Sequence, residues 1–153
     1  MISIQEKDFD LAEEYQALRA DAPRVGAITT FTGLVRDFNQ LATASNSDDV
    51  KGLFLEHYPG MTEKTLACII DDCHTRWDII NVRVIHRIGQ LFPGDQIVFV
   101  GVNSAHRADA FAACEFIMDF LKTQAPFWKK ELTENGERWL DAKASDEQAK
   151  DRW

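Results

Sequence analysis

The sequence predicts a mixed α+β fold, on three observations. Runs rich in β-branched residues, VGAITTFTGLVR at 25–36 and IVFVGV at 97–102, read as strands. Between them, apolar residues recur at helical spacing over 61–77 and again from Ser104 towards Ala125. Turn signals then join strand to strand, Pro93-Gly94-Asp95 in one place and Asn135-Gly136 in another, so part of the sheet is antiparallel. A chain of 153 residues can bury a proper core, and no repeat or linker divides it, so residues 1–153 are read as one domain.

Taken in order, Ile2 and Ile4 suggest a short first strand. Asp10 can cap a helix whose apolar face is Leu11, Tyr15 and Leu18, with Pro23 beyond its end. In the strand at 25–36, Gly33 suggests a bulge or a close backbone approach, and Arg36 stands where the strand runs out. Residues 37–51 are polar and aperiodic, a long loop that is either a functional lid or a tolerated insertion. Leu53–Tyr58 is a strand broken by Pro59-Gly60, and a helix follows from Met61 to Trp77. Its buried stripe is Leu66, Ile69, Ile70, Cys73 and Trp77, with Asp71, Asp72 and Arg76 outward. Ile79–Leu91 and Gln96–Ser104 are expected to form an antiparallel pair. The segment IVFVGV is apolar on both faces, as in a sheet covered on both sides. A long helix then runs to Ala125, where Pro126 stops it, and FWKKEL and ERWLDA pair across Asn135-Gly136.

Composition narrows the function. The net charge is −8 and the pI near 4.9, which excludes nucleic acid as a general partner, because phosphate binding needs a basic face. A local basic pocket within an acidic shell would still draw in a small anion. No apolar run approaches the ~20 residues that span a bilayer, and MISIQEKDFD lacks the regions of a signal peptide, so no membrane and a cytosolic location are expected. Cys68, Cys73 and Cys114 lack CxxC spacing; neither a disulfide framework nor a zinc site is expected, and no metal or cofactor is called for. Glycine-loop, GxSxG and HExxH signatures are missing too.

The candidate chemistry is cationic. Ser104, His106 and Arg107 open the long helix, whose free N–H groups and dipole favour an anion; the alternative is a capping serine and a solvated arginine. Lys122 and Lys129 bracket the proline turn beside Phe127 and Trp128. An ammonium held against aromatic walls gives up its proton more readily and can serve as acid, base or nucleophile; two surface lysines on a turn is the plainer alternative. His57 and His86 read as satisfied strand histidines, and Phe31, Phe111, Phe116 and Phe120 as core. The sixteen steps from His106 to Lys122 span roughly 24 Å of helix. Both ends therefore cannot touch one small molecule within one chain: either there are two sites, or one site is built from two copies.

Four segments carry a resemblance: FTGLVRDFN (31–39), LEHYPGMTEK (55–64), VIHRIGQLFPGDQIVFVGVNSAHR (84–107) and FIMDFLKTQAPFWKKE (116–131). Together with the ERW near residue 138 and the closing RW, they are similar to the large, catalytic subunit of molybdopterin synthase, the MoaE family. The resemblance implies an α/β-hammerhead-type domain with an added antiparallel β subdomain. It implies a sulfurtransferase of molybdenum cofactor biosynthesis that converts cyclic pyranopterin monophosphate (precursor Z) to molybdopterin. Sulfur would come from the C-terminal Gly-Gly thiocarboxylate of a small ubiquitin-like sulfur-carrier subunit, within a heterotetramer built on a homodimer. By the same resemblance Lys122 and Lys129 would be catalytic. Arg36, His106 and Arg107 would contact substrate anions, with Leu34, Val35, Lys130, Glu131 and Lys143 alongside, and Phe31 and Met118 would line the pocket. Two residues depart from some relatives. Leu34 replaces a lysine, which a main-chain contact at 34–36 would survive. Lys143 replaces an arginine, which keeps the charge and loses the bidentate fork.

Overall fold

The computed structural model describes residues 1–20, 22–36, 50–133, 136–140, 151 and 153. Among the described residues two four-stranded sheets and three helices form: β1 (Ile2–Gln5), α1 (Leu11–Arg19), β2 (Ala27–Leu34), β3 (Val50–His57), α2 (Met61–Arg76), β4 (Ile79–Arg87), β5 (Gly89–Leu91), β6 (Gln96–Ser104), α3 (Arg107–Thr123), β7 (Phe127–Thr133) and β8 (Gly136–Leu140). The first sheet has the order β1-β4-β6-β2 and the second β5-β3-β7-β8. Of these strand pairs β1 and β4 run parallel, and the other described pairs are antiparallel.

Alternation along β6 explains why the first sheet is covered on both sides. Val98, Val100 and Val102 face α2 and α3, where they join Leu66, Ile69, Cys73, Phe116 and Ile117 in the main core. Phe99 points the other way, into a smaller cluster with Phe9, Leu18 and Ile85. The continuous apolar run is thus the mark of a strand buried on both faces. The two buried thiols, Cys73 and Cys114, are pushed up to about 12, chiefly by burial, and stay protonated.

Three expectations change. First, α1 does not bury Leu11 and Tyr15; both are exposed, and Leu18 alone is inside. The helix meets the sheet through Glu14, paired with Arg83 of β4, and through Leu18, which lies so close to Gly101 that a Cβ there would stand 2.5 Å from its Cδ1. Asp10 does cap it, accepting from the Ala12 and Glu13 N–H groups at 2.7 and 3.2 Å. Second, 79–91 is two strands. Gly89, at φ +77, breaks the run and passes the chain from the first sheet to the second, where β5 pairs with β3. The predicted antiparallel pairing with β6 belongs to β4 alone. Third, Val50 and Lys51 lie in β3 and not in the loop expected over 37–51; 37–49, Asn135 and most of the tail fall outside the described residues. The register shift at Gly33/Leu34 is the bulge the glycine suggested.

The sheets meet where Val35 and Ile97 pack on Leu53, Leu55 and Leu91, and again at the start of β7. His86 of β4, buried, stacks on Phe127 at the start of β7, ring centroids 3.8 Å apart, and its Nδ1 donates to the Arg87 carbonyl at 2.8 Å. Thr62 of α2, completely buried, has its hydroxyl within reach of the Tyr58 and Pro126 carbonyls, at 3.0 and 3.2 Å. Among the described residues, no helix is long and apolar enough to cross a membrane, and no cluster of three or more His, Cys, Asp or Glu is placed to hold a metal.

Burial, with help from the nearby charges of Lys129 and His57, pushes His86 down from 6.5 to about 4. The folded chain therefore refuses a proton that the unfolded chain accepts, so stability is full above about pH 6.5 and falls as pH drops towards 4. That group's share is on the order of 3 kcal/mol. His86→Phe keeps the stack and removes the titration. Chemical denaturation at a series of pH values should show a shallower fall between pH 6.5 and 4 than in the parent, and an unchanged slope would refute the assignment.

Candidate active site

β6 feeds α3 directly, and the turn between them places the first cations. Ser104 is buried; its Oγ accepts from the His106 N–H at 3.1 Å and donates to the Asp78 carbonyl at 2.7 Å. It therefore anchors the end of β6 and neither caps α3 nor lines an anion cradle, contrary to the sequence reading. His106 occupies the N-cap position without a side-chain capping bond, and both it and Arg107 are exposed at the positive end of the helix.

α3 buries Ala110, Ala113, Phe116, Ile117 and Leu121 against the sheet. Its flank passes over β2, the edge strand of that sheet. Between the two lies a groove of about 520 Å³, floored by Thr29, Thr30 and Phe31 and walled by Phe111, Met118 and Lys122. Cys114, Glu115 and Asp119 complete the wall. Phe31 and Phe111 are 41% and 62% exposed, at odds with the expectation that both belong to the core; Phe116 and Phe120 do pack there. The strand-to-helix crossing thus brings Phe31 and Met118, named by the resemblance as pocket residues, together with Lys122. Phe111 was missed. It lies seven residues before Met118, two helical turns down the same flank, and that spacing was the available signal.

The second lysine hangs from the other sheet. Side chains alternate along β7, so Phe127, Lys129 and Glu131 share the face towards His86, and Trp128 and Lys130 share the opposite one. Glu131 is buried. Lys130 lies 3.3 Å from both Glu56 and Glu137, with its ammonium over the rings of Trp139 and Phe54. Burial alone would lower its pKa; hydrogen bonds and charge from Glu137 and Glu56 outweigh that and raise it. Its geometry is that of a strut across β3, β7 and β8.

The strand end at 34–36 splits three ways. Leu34 is 55% exposed and Arg36 is exposed, while Val35 is core, packed with Leu53, Leu55 and Leu91. The Val35 N–H donates to the Asp95 carbonyl and its carbonyl accepts from Gly94 N–H, at 2.9 and 2.8 Å. Arg36, His106, Arg107 and Lys129 do not line the groove, and Lys143 lies outside the described residues.

A family profile described as MoaE protein matches residues 4–124. The chain belongs to the MoaE family. The molybdopterin synthase catalytic subunit of Vibrio cholerae serotype O1 is 59% identical over 152 residues, covering 99% of this chain and 97% of that protein. The corresponding Escherichia coli K12 subunit is 55% identical over the same shares. Among solved structures, a molybdopterin biosynthesis MoaE protein from Burkholderia ambifaria superposes with a TM-score of 0.83 at 52% identity, covering 100% of this chain and 97% of that one. A Helicobacter pylori complex of subunits 1 and 2 of molybdopterin-converting factor contains a chain of the same fold, with a TM-score of 0.74 at 20% identity over 92% of this chain and 90% of that one. Membership places this MoaE chain in molybdenum cofactor biosynthesis, as the catalytic subunit of molybdopterin synthase.

Proposed function

We propose that the chain transfers sulfur from the C-terminal thiocarboxylate of a small ubiquitin-like carrier to cyclic pyranopterin monophosphate, precursor Z, installing two sulfurs to give molybdopterin. The observation that carries this reading is the groove under α3, where Phe31, Phe111 and Met118 lead up to the Lys122 side chain. An extended Gly-Gly tail fits such a channel, and a fixed ammonium at its end suits an anionic thiocarboxylate. The Helicobacter pylori complex supports a small-subunit partner, since a chain of this fold is there joined to a second subunit.

In this reading Lys122 polarises the thiocarboxylate and the tetrahedral intermediate formed from it. Lys129 assists proton transfer as the leaving group departs. Arg36, His106 and Arg107 hold the phosphate, with Leu34 beside them and Lys143 as a further cation. Lys130 and Glu131, tied and buried as described, keep β7 in place and so serve the site through Lys129. The ends of α3 are too far apart for one substrate, so His106 and Arg107 serve the Lys122 of a second protomer, in a homodimer that carries a small subunit on each side. The cytosol is the compartment that suits this chemistry and its free cysteines.

Two rivals differ in what they predict. A scaffold that only binds the carrier predicts binding without turnover, and it leaves Lys122 at the groove without a task. A regulatory anion-binding dimer predicts phosphate binding with no dependence on a thiocarboxylated protein.

Lys122→Ala should abolish dithiolene product, a loss of at least about 10²-fold, with the dimer intact by light scattering. Retained turnover would overturn the assignment. Inert Arg107→Ala and Lys122→Ala chains, mixed and allowed to exchange, should recover activity in the mixed dimer. No recovery after proven exchange would show that the two residues do not share a site.

A further inference from the structure

Trp153 is seated against the back of the helix that carries Lys122. Its ring meets Trp77, which closes α2, and Phe116 of α3 edge-on, with centroids 5.6 Å apart in each case. Its carbonyl accepts from Arg76 Nη1 at 3.0 Å, and that guanidinium lies 4.9 Å over the Phe116 ring while pairing with Asp72 at 3.5 Å. The indole Nε1 donates to Asp119 Oδ2 at 2.8 Å. Two aromatic edges and one hydrogen bond thus hold this half-buried side chain, and the Arg76 bond fixes the main chain that carries it. An indole that leaves water needs a partner for its N–H, and here that partner is the Asp119 carboxylate.

Asp119 is the link to the chemistry. It lines the same groove as Lys122 and precedes it on α3 by three residues, within reach of a side-chain pair. Its carboxylate is the anion standing one turn before the ammonium at the groove's end. A charge-assisted bond from the indole sets where that carboxylate points.

We propose that Trp153 is a positioning residue for molybdopterin formation: by holding Asp119, it sets the electrostatic surroundings of Lys122 in the groove. The inference rests on the sulfur-transfer reading above, in which Lys122 acts on the thiocarboxylate. Trp153 does not itself line the groove and reaches it only through Asp119, so its effect belongs to turnover and not to carrier binding.

The test uses full chains with thiocarboxylated carrier and precursor Z, and compares Trp153→Phe, Asp119→Asn and the double variant. Trp153→Phe keeps an aromatic ring in the slot and removes the donor. It should lower kcat about tenfold, the loss expected when a hydrogen bond to a charged group is removed, with the KM for the carrier unchanged. Near-UV circular dichroism and the dimer mass should stay those of the parent. Because the two residues act through one bond, the double variant should be no slower than the slower single one. Parental kcat in Trp153→Phe, or losses that multiply in the double variant, would overturn the proposal, and so would a change confined to Tm. Lys122→Ala in the same assay separates the two failures. If that variant is dead and Trp153→Phe is unaffected, the latch alone is wrong. If Lys122→Ala is fully active, the sulfur-transfer reading falls and the latch falls with it.

Discussion

Three residues turn a helix into a strand, and the site depends on that joint. α3 ends at Thr123, with the Gln124 N–H still bonded to the Phe120 carbonyl at 2.8 Å, and β7 begins at Phe127. Between them Ala125 is buried, and the Pro126 carbonyl lies near the Thr62 hydroxyl. Phe127 is then stacked on His86. Proline forbids further helix, and the residue before it avoids the α region, so the chain must change direction here. Lys122 and Lys129 hang from rigid elements on either side of this turn. Neither can move far without breaking the main core or the His86–Phe127 stack that joins the sheets.

The electrostatics follow from the same architecture. The chain carries −8 overall, yet exposed basic side chains stand at strand and helix ends: Arg36 past β2, His106 and Arg107 where α3 begins, Lys122 in its last turn. An acidic surface discourages polyanions, while basic groups fixed at element ends favour a small anion locally. Lys130 shows the contrast. One residue along the strand from Lys129 and on the other face, it is enclosed by two carboxylates and two aromatic rings and is committed to holding the second sheet together.

Much of the fold was legible because local signals agreed. The β-branched runs, the Asp10 cap, the Gly33 bulge and the proline stop each have a backbone cause that does not need the rest of the chain. What escaped the sequence was tertiary. Nothing local says that Leu11 and Tyr15 of a periodic helix find no sheet beneath them, or that Gly89 divides a continuous apolar run between two sheets. The site behaved likewise. Lys122 and Met118 were suggested by resemblance and are brought together with Phe31 by the crossing of α3 over an edge strand. Ser104 looked like a helix cap and is a buried tie to Asp78. Trp153, at the end of a polar tail, gave no hint that it would return to Asp119.

The account stands on a fixed ammonium meeting a thiocarboxylate brought by another protein. Its most direct measurement is a single turnover of this chain with precursor Z and a carrier ending either in a thiocarboxylate or in an ordinary carboxylate. Dithiolene pterin should form with the thiocarboxylated carrier alone, although both carriers bind. Equal product from the two, or none from the thiocarboxylated carrier once it is bound, would contradict the account.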